Sequence, residues 1–139
     1  MTDQTSTPSP PLPVPTPTSA PFWGGLQVDE VRLQRCNDCS AWVYYPRSHC
    51  PGCLSPELSW QAVSGRGRLH TFTVARQPTS PHFAGQVPQL LAVVELHEGP
   101  RLTTTMVDVE PDGLRVGMEV QPVFDHVDAD HTLLRYRPV

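Results

Sequence analysis

The sequence predicts a mainly β protein, a small metal-held ribbon followed by a small barrel, and three observations carry that expectation. Two Cys-x-x-Cys pairs stand ten residues apart in the first half of the chain. Downstream of them, apolar segments of strand length alternate with turn residues, and none sustains a 3.6-residue period. Ahead of both, seven of the 17 prolines crowd into Met1 to Pro21. The order of these features divides the chain into a tail over 1–21, a ribbon segment over 22–57 and a barrel over 58–139.

The tail comes first. Its prolines sit among serines and threonines, and Asp3 is its only charged side chain. Such a segment has too little apolar surface to offset the entropy of ordering, and proline biases it to an extended left-handed helix. Pro8 to Pro11 and Pro10 to Pro13 have PxxP spacing, but no arginine or lysine stands beside them to orient such a ligand in an aromatic groove. The segment therefore reads as a disordered tether. From Pro21 the character changes. Phe22 and Trp23 precede Gly24 and Gly25, and they either anchor the tail's end on the folded unit or present an apolar patch to a partner. Val31 to Arg35 then alternates like a short strand.

The cysteines are the strongest signal. Cys36 and Cys39 form one pair, Cys50 and Cys53 the other, and four thiolates so spaced converge on one tetrahedral ion at about 2.3 Å each. Ser40 to Tyr45, aromatic and β-branched, reads as the hairpin between two knuckles, and Gly52 offers the freedom a tight turn often needs. Four cysteines close the coordination shell, which points to structural zinc, one ion per chain, rather than to a catalytic metal with an open position. His49 would be a fifth ligand and reads as an exposed loop residue. A single redox Cys-x-x-Cys in a βαβ setting is a different pattern.

The barrel follows. Strands are expected over Leu58 to Ser64, Arg68 to Arg76, Gln89 to Leu96, Arg101 to Val109, Gly117 to Val127 and Thr132 to Tyr136. Five or six strands in about 80 residues fit an OB-fold barrel, and Gly65 and Gly67 suit a corner where a strand bends. Arg66 in that corner, and Arg76 with Phe83 in the loop up to Pro88, are the candidate contacts for a phosphate and an acyl chain or adenine. Asp125, His126, Asp128, Asp130 and His131 gather five potential metal ligands into seven residues. No glycine positions a calcium loop there, so a solvated hairpin turn explains the composition.

Charge narrows the function. The net charge is −4, all ten basic residues are arginine, and the charges between Glu30 and Glu57 cancel. That balance disfavours a nucleic-acid ribbon, although a single-stranded nucleic-acid module of ribbon and barrel is the alternative the two folds themselves suggest. No apolar run approaches the ~20 residues of a membrane span, and the N-terminus lacks the basic and apolar regions of a secretory signal. A cytoplasmic protein is expected. No nucleophile elbow, Ser/His/Asp pattern or spaced carboxylate pair appears, so the chain is not expected to catalyse a reaction alone.

Several short motifs then combine into a resemblance. Pro21-Phe22-Trp23 with Gly25-Leu26, Leu33 to Cys36, Cys39, Tyr45-Pro46-Arg47 and Cys50 to Cys53 form its front half. Trp60, Ser64 to Gly67, Thr71 to Val74 and Gly117 to Val120 form its back half. In that order they resemble the small proteins with a rubredoxin-like zinc ribbon followed by an acyl-CoA-associated OB-fold, long catalogued as a domain of unknown function. The resemblance implies a short helix after Phe22 and a structural zinc on Cys36, Cys39, Cys50 and Cys53. It implies an accessory subunit that docks on a thiolase-superfamily acyltransferase or aldolase, stabilises it, and helps bind or channel acyl-CoA. In relatives of this kind the partner can be a retro-aldolase acting on a steroid side chain. Phe22, Trp23, Arg66, Arg76 and Phe83 are the candidates for partner or acyl-CoA contact.

Overall fold

The computed structural model describes residues 9–139. The first eight residues of the expected tether lie outside it, and its last two, Ala20 and Pro21, belong to a helix. Pro10, Leu12 and Pro13 are half-buried while Ser9 and Pro11 face out. Thr16 and Ser19 then exchange hydrogen bonds, the Thr16 amide to Ser19 Oγ at 2.9 Å and the Ser19 amide to Thr16 Oγ1 at 3.1 Å. That turn starts helix α1 (Ala20–Gln27) two residues before Phe22, with Pro21 in the first turn, where a missing amide proton costs nothing. Phe22, Gly25 and Leu26 lie three and four apart and form its buried face.

Two antiparallel sheets follow. In the first, β1 (Val31–Cys36) pairs with β2 (Trp42–Val43) on one side and β3 (Leu58–Val63) on the other. All six β1 residues have β3 partners, from Val31 with Val63 to Cys36 with Leu58. The sequence places Leu58 to Ser64 in the barrel, so the expected boundary falls inside a shared sheet. A segment's hydrogen-bond partners are not written in its own composition.

The second sheet contains β4 (Gly67–Ala75), β5 (Gln89–Leu96), β6 (Arg101–Thr105), β7 (Glu119–His126) and β8 (Thr132–Pro138) in the order β6-β5-β4-β7-β8. It curls until Met106 meets Tyr136 in a parallel bridge, and the Val107 amide donates to the Tyr136 carbonyl at 2.8 Å. β6 stops short of the expected Val109: the Met106 amide still donates to the Leu90 carbonyl at 2.8 Å, but Val107 bonds to Tyr136 and Asp108 takes a left-handed φ of 56°. The corner before β4 requires its glycines. Gly65 has φ +73°, and a Cβ there would stand 2.7 Å from Val31 Cγ2; at Gly67 it would overlap the Glu95 carbonyl. The buried Tyr136 hydroxyl donates to the Gly65 carbonyl, pinning that corner to the last strand.

The main core holds Leu69, Val94, Leu102, Val120 and Tyr136 from the barrel together with Val31 and Leu33 from β1. Cys36, Val43 and Cys50, with Leu58 against them, form a smaller core in the ribbon.

Candidate metal centre

Two matched turns present the cysteines. In the first, the Ser40 amide donates to the Cys36 carbonyl at 2.9 Å and the Cys39 amide to the Cys36 sulfur at 3.4 Å. In the second, the Leu54 amide donates to the Cys50 carbonyl at 2.8 Å and the Gly52 amide to the Cys50 sulfur at 3.4 Å. The left-handed residue of each turn follows its second cysteine: Ser40 at φ 65° and Leu54 at φ 64°. Gly52, expected to supply that freedom, has no positive φ, and a Cβ there would make an ordinary 3.7 Å contact with the Cys50 sulfur.

The four sulfurs lie within 4.8 Å of one another, with Cys36 to Cys53 at 3.5 Å and Cys39 to Cys50 at 3.6 Å. A tetrahedron of thiolates about 2.3 Å from a central zinc has edges of about 3.8 Å, so the donor set fits. Cys36 and Cys50 are buried, whereas Cys39 and Cys53 are exposed, placing the centre at the ribbon's rim. The Cys39 amide lowers the Cys36 thiol to about 7. The Cys53 and Gly52 amides likewise lower Cys50. At Cys39 the Ala41 amide pulls downward, but the Cys50 side chain outweighs it with its neighbours and the thiol rises. At Cys53 the Ser55 amide pulls downward and the Cys36 side chain leads the contrary effect, with the same outcome. One sulfur per knuckle thus ionises readily and one resists; a divalent cation is what makes four thiolates compatible.

Three residues that sequence reasoning missed position these turns. Gln34 is buried and clamps the Arg47 backbone from both sides, Nε2 to the carbonyl and the amide to Oε1, each at 2.8 Å. Ser55 donates to Asp38 across the two knuckles, and its own Oγ receives the Glu57 amide at 3.1 Å. The turn-forming pair Asn37-Asp38 was the available signal. His49 is exposed and shares a 3.0 Å hydrogen bond with Ser48, outside the sulfur shell.

The acidic segment near Asp125 does not assemble a second centre. Among the described residues, the four cysteines are the one group of three or more such ligands close enough to hold an ion. His131 pairs with Asp128 at 2.9 Å, and His126 turns away to Asp29 at 2.7 Å. His126 Nδ1 also lies 2.8 Å from Thr132 Oγ1, which donates to Gln27 Oε1 at 2.9 Å. Asp29, His126 and Thr132 so connected resemble a catalytic triad, but Thr132 is 2% exposed and meets no substrate. The chain of bonds ties the end of α1 to the β7–β8 hairpin.

The remaining candidates separate. Phe22 is enclosed, with ring centroids 5.1 Å from Trp23, 5.8 Å from Tyr44 and 6.1 Å from Tyr45. Trp23 is half-buried beside it, and its indole Nε1 is buried without a hydrogen-bond partner among the described residues. Arg66 and Arg76 are exposed at opposite ends of β4, about 30 Å apart along a strand of this length, so one phosphate does not reach both. Phe83, half-buried, lines a groove at the mouth of the barrel.

Known proteins share both halves. Residues 23–59 match the family described as the ChsH2 rubredoxin-like zinc ribbon domain, and residues 60–125 match the ChsH2 C-terminal OB-fold domain. A DUF35 domain-containing scaffold protein of Methanocaldococcus jannaschii is 35% identical over 106 residues, covering 73% of this chain and 74% of that one. A probable enoyl-CoA hydratase alpha subunit of Thermomonospora curvata is 36% identical over 120 residues; the match covers 84% of this chain but only 36% of that protein. Among solved structures, a chain of the Ltp2-ChsH2(DUF35) aldolase superposes with a TM-score of 0.81 at 31% identity, covering 91% of this chain and 98% of that one. A Sulfolobus solfataricus DUF35 protein of unknown function shares the fold at TM-score 0.64 and 14% identity. The chain thus belongs to the ChsH2-type DUF35 family, a rubredoxin-like zinc ribbon joined to an OB-fold.

Proposed function

We propose that this chain is a non-catalytic accessory subunit that docks on a thiolase-superfamily enzyme, an aldolase or acyltransferase of acyl-CoA metabolism. It stabilises that enzyme and helps bind or channel the acyl-CoA, while Cys36, Cys39, Cys50 and Cys53 hold one structural zinc per chain. The observation that carries the reading is the likeness, nearly end to end, to the DUF35 chain of an aldolase. A steroid-derived acyl group is supported by a relative in Mycobacterium tuberculosis, the 3-oxo-4,17-pregnadiene-20-carboxyl-CoA hydratase alpha subunit, 31% identical over 106 residues and matched over 33% of its length. The reading places the protein in the cytoplasm beside its enzyme, with no role for nucleic acid or membrane. Among the described residues no helix is long and apolar enough to cross a bilayer.

Co-expression with a thiolase-like enzyme encoded nearby tests the proposal. A stable hetero-oligomer is expected, burying more than about 1,000 Å². Separate elution, with the enzyme fully active alone, would overturn it. Metal analysis of the pure chain should find about one zinc per chain.

A further inference from the structure

OB-fold barrels bind their ligands on the face of the second and third strands, framed by the loops after the first and fourth. In this barrel those strands are β5 and β6, and the loops are Gln77 to Pro88 and the β7–β8 hairpin. A groove of about 710 Å³ lies there, and its lining includes Thr105, Leu133, Phe83, His126 and the buried Gln89. Its volume is that of a ligand site. Part of its wall is the N-terminal stretch of the chain itself: Ser9, Pro10, Pro11 and Leu12 line it, with Pro10 and Leu12 the half-buried members.

The groove's charge decides what suits it. Asp125 and Asp128 are in its wall, and the guanidinium of Arg135 is already committed to Asp125 at 2.8 Å. Asp125 and Arg135 cancel, so Asp128, which meets His131 at 2.9 Å, leaves the wall one negative charge, which disfavours a phosphate-bearing ligand and suits a cation. What borders the groove is a proline-rich stretch, Ser9 to Leu12, which shares the lining with Phe83. Proline pre-orders such a segment, so little entropy is lost when it docks.

We propose that this groove is a peptide-binding site, closed in cis by the Ser9–Leu12 strap, which takes in trans an extended, proline-containing segment with a basic flank. The strap is held at the high effective concentration of a tethered ligand, so it masks the site from weaker competitors. The inference stands apart from the proposed docking on an acyl-CoA enzyme, since a partner can be lost while the groove still binds peptide.

The test uses the full chain, uniformly labelled with nitrogen-15, and the acetylated peptide Pro-Pro-Leu-Pro-Arg as probe. Leu12→Asp puts a carboxylate beside Asp125 and Asp128 and releases the strap. Amide signals of Phe83, Gln89 and Leu133 should shift on peptide addition, and the variant should bind at least about fivefold tighter than the parent. Unchanged zinc content and signal dispersion establish that the variant is folded, and Leu12→Ser provides a milder opening. No peptide-dependent shift at these residues in any of the three proteins overturns the proposal. So do equal affinities in parent and variants, and so does coenzyme A shifting these residues where the peptide does not.

Discussion

The ribbon and the barrel have separate sheets that meet in one core, and they hold together by different means. The ribbon's own small core cluster is Cys36, Val43 and Cys50 with Leu58 against them, so two of that cluster's three buried residues are also candidate metal ligands. The barrel's interior is a continuous apolar cluster that includes Leu69, Leu90, Val94, Leu102 and Val120. In the ribbon, packing and ligation are one event, and a substitution there acts on both. In the barrel, packing lies inside and the groove outside, so the groove's lining can change while the core stays as it is. A ribbon of this size has too little apolar surface to fold by burial alone, whereas the barrel has a large apolar core to which the ribbon adds Val31 and Leu33.

The largest expected effect breaks the ribbon side of that contrast. Cys36→Ser, or a strong chelator, removes a metal contribution on the order of 10–16 kcal/mol and unfolds the ribbon. Because Val31 and Leu33 reach the barrel's core, the barrel should melt at a lower temperature too. Circular dichroism melts with and without chelator check this, and superimposable curves would refute a structural metal.

A smaller effect tests the barrel side. Leu69→Ala, at a fully buried site, should cost about 2–5 kcal/mol in urea unfolding. Zinc stoichiometry should stay at the parent value. Loss of zinc in this variant would mean that the two cores are not separable as described.

The smallest effect sharpens the join. Tyr136→Phe strands the Gly65 carbonyl and should cost about 1–2 kcal/mol. Burial also raises both Tyr136 and Tyr44 above their ordinary range, Tyr44 to about 12. A tyrosine ionises near 10 when unfolded, so these groups contribute their full stability below about pH 10 and lose it as pH climbs toward the folded values. Alkaline unfolding should therefore begin above about pH 10, and Tyr136→Phe should flatten its pH dependence. Tyrosinate absorbance followed alongside circular dichroism reads this; a stability independent of pH in that range would contradict it.

Much of this architecture was legible because its signals are local. Cysteine spacing implied the centre, and β5 occupies the expected Gln89 to Leu96 segment without a shift. What escaped depends on distant partners. Asp29 and His126 are 97 positions apart, and nothing in either neighbourhood announces their contact. The pairing of β3 with β1 and the Met106–Tyr136 closure are likewise properties of the assembled chain. Composition marked the proline-rich tail, but not that helix α1 begins at Ala20 or that Pro10 and Leu12 are half-buried beside the barrel's groove. Within the centre, Gly52 drew attention as the flexible residue, while the turns place Ser40 and Leu54 in the left-handed region instead.

The strand β1 leaves the chain no clean place to be cut. Severing it after Ser59 would strip Gln34, Leu33, Arg32 and Val31 of their partners from Trp60 to Val63. The bared edge would invite another chain to pair with it, and two core residues would face water. Grafting one half onto a foreign protein therefore means carrying the other along. A torque applied to the ribbon's six rungs of β1–β3 pairing reaches the barrel through the short corner at Gly65, which the Tyr136 hydroxyl pins to the last strand.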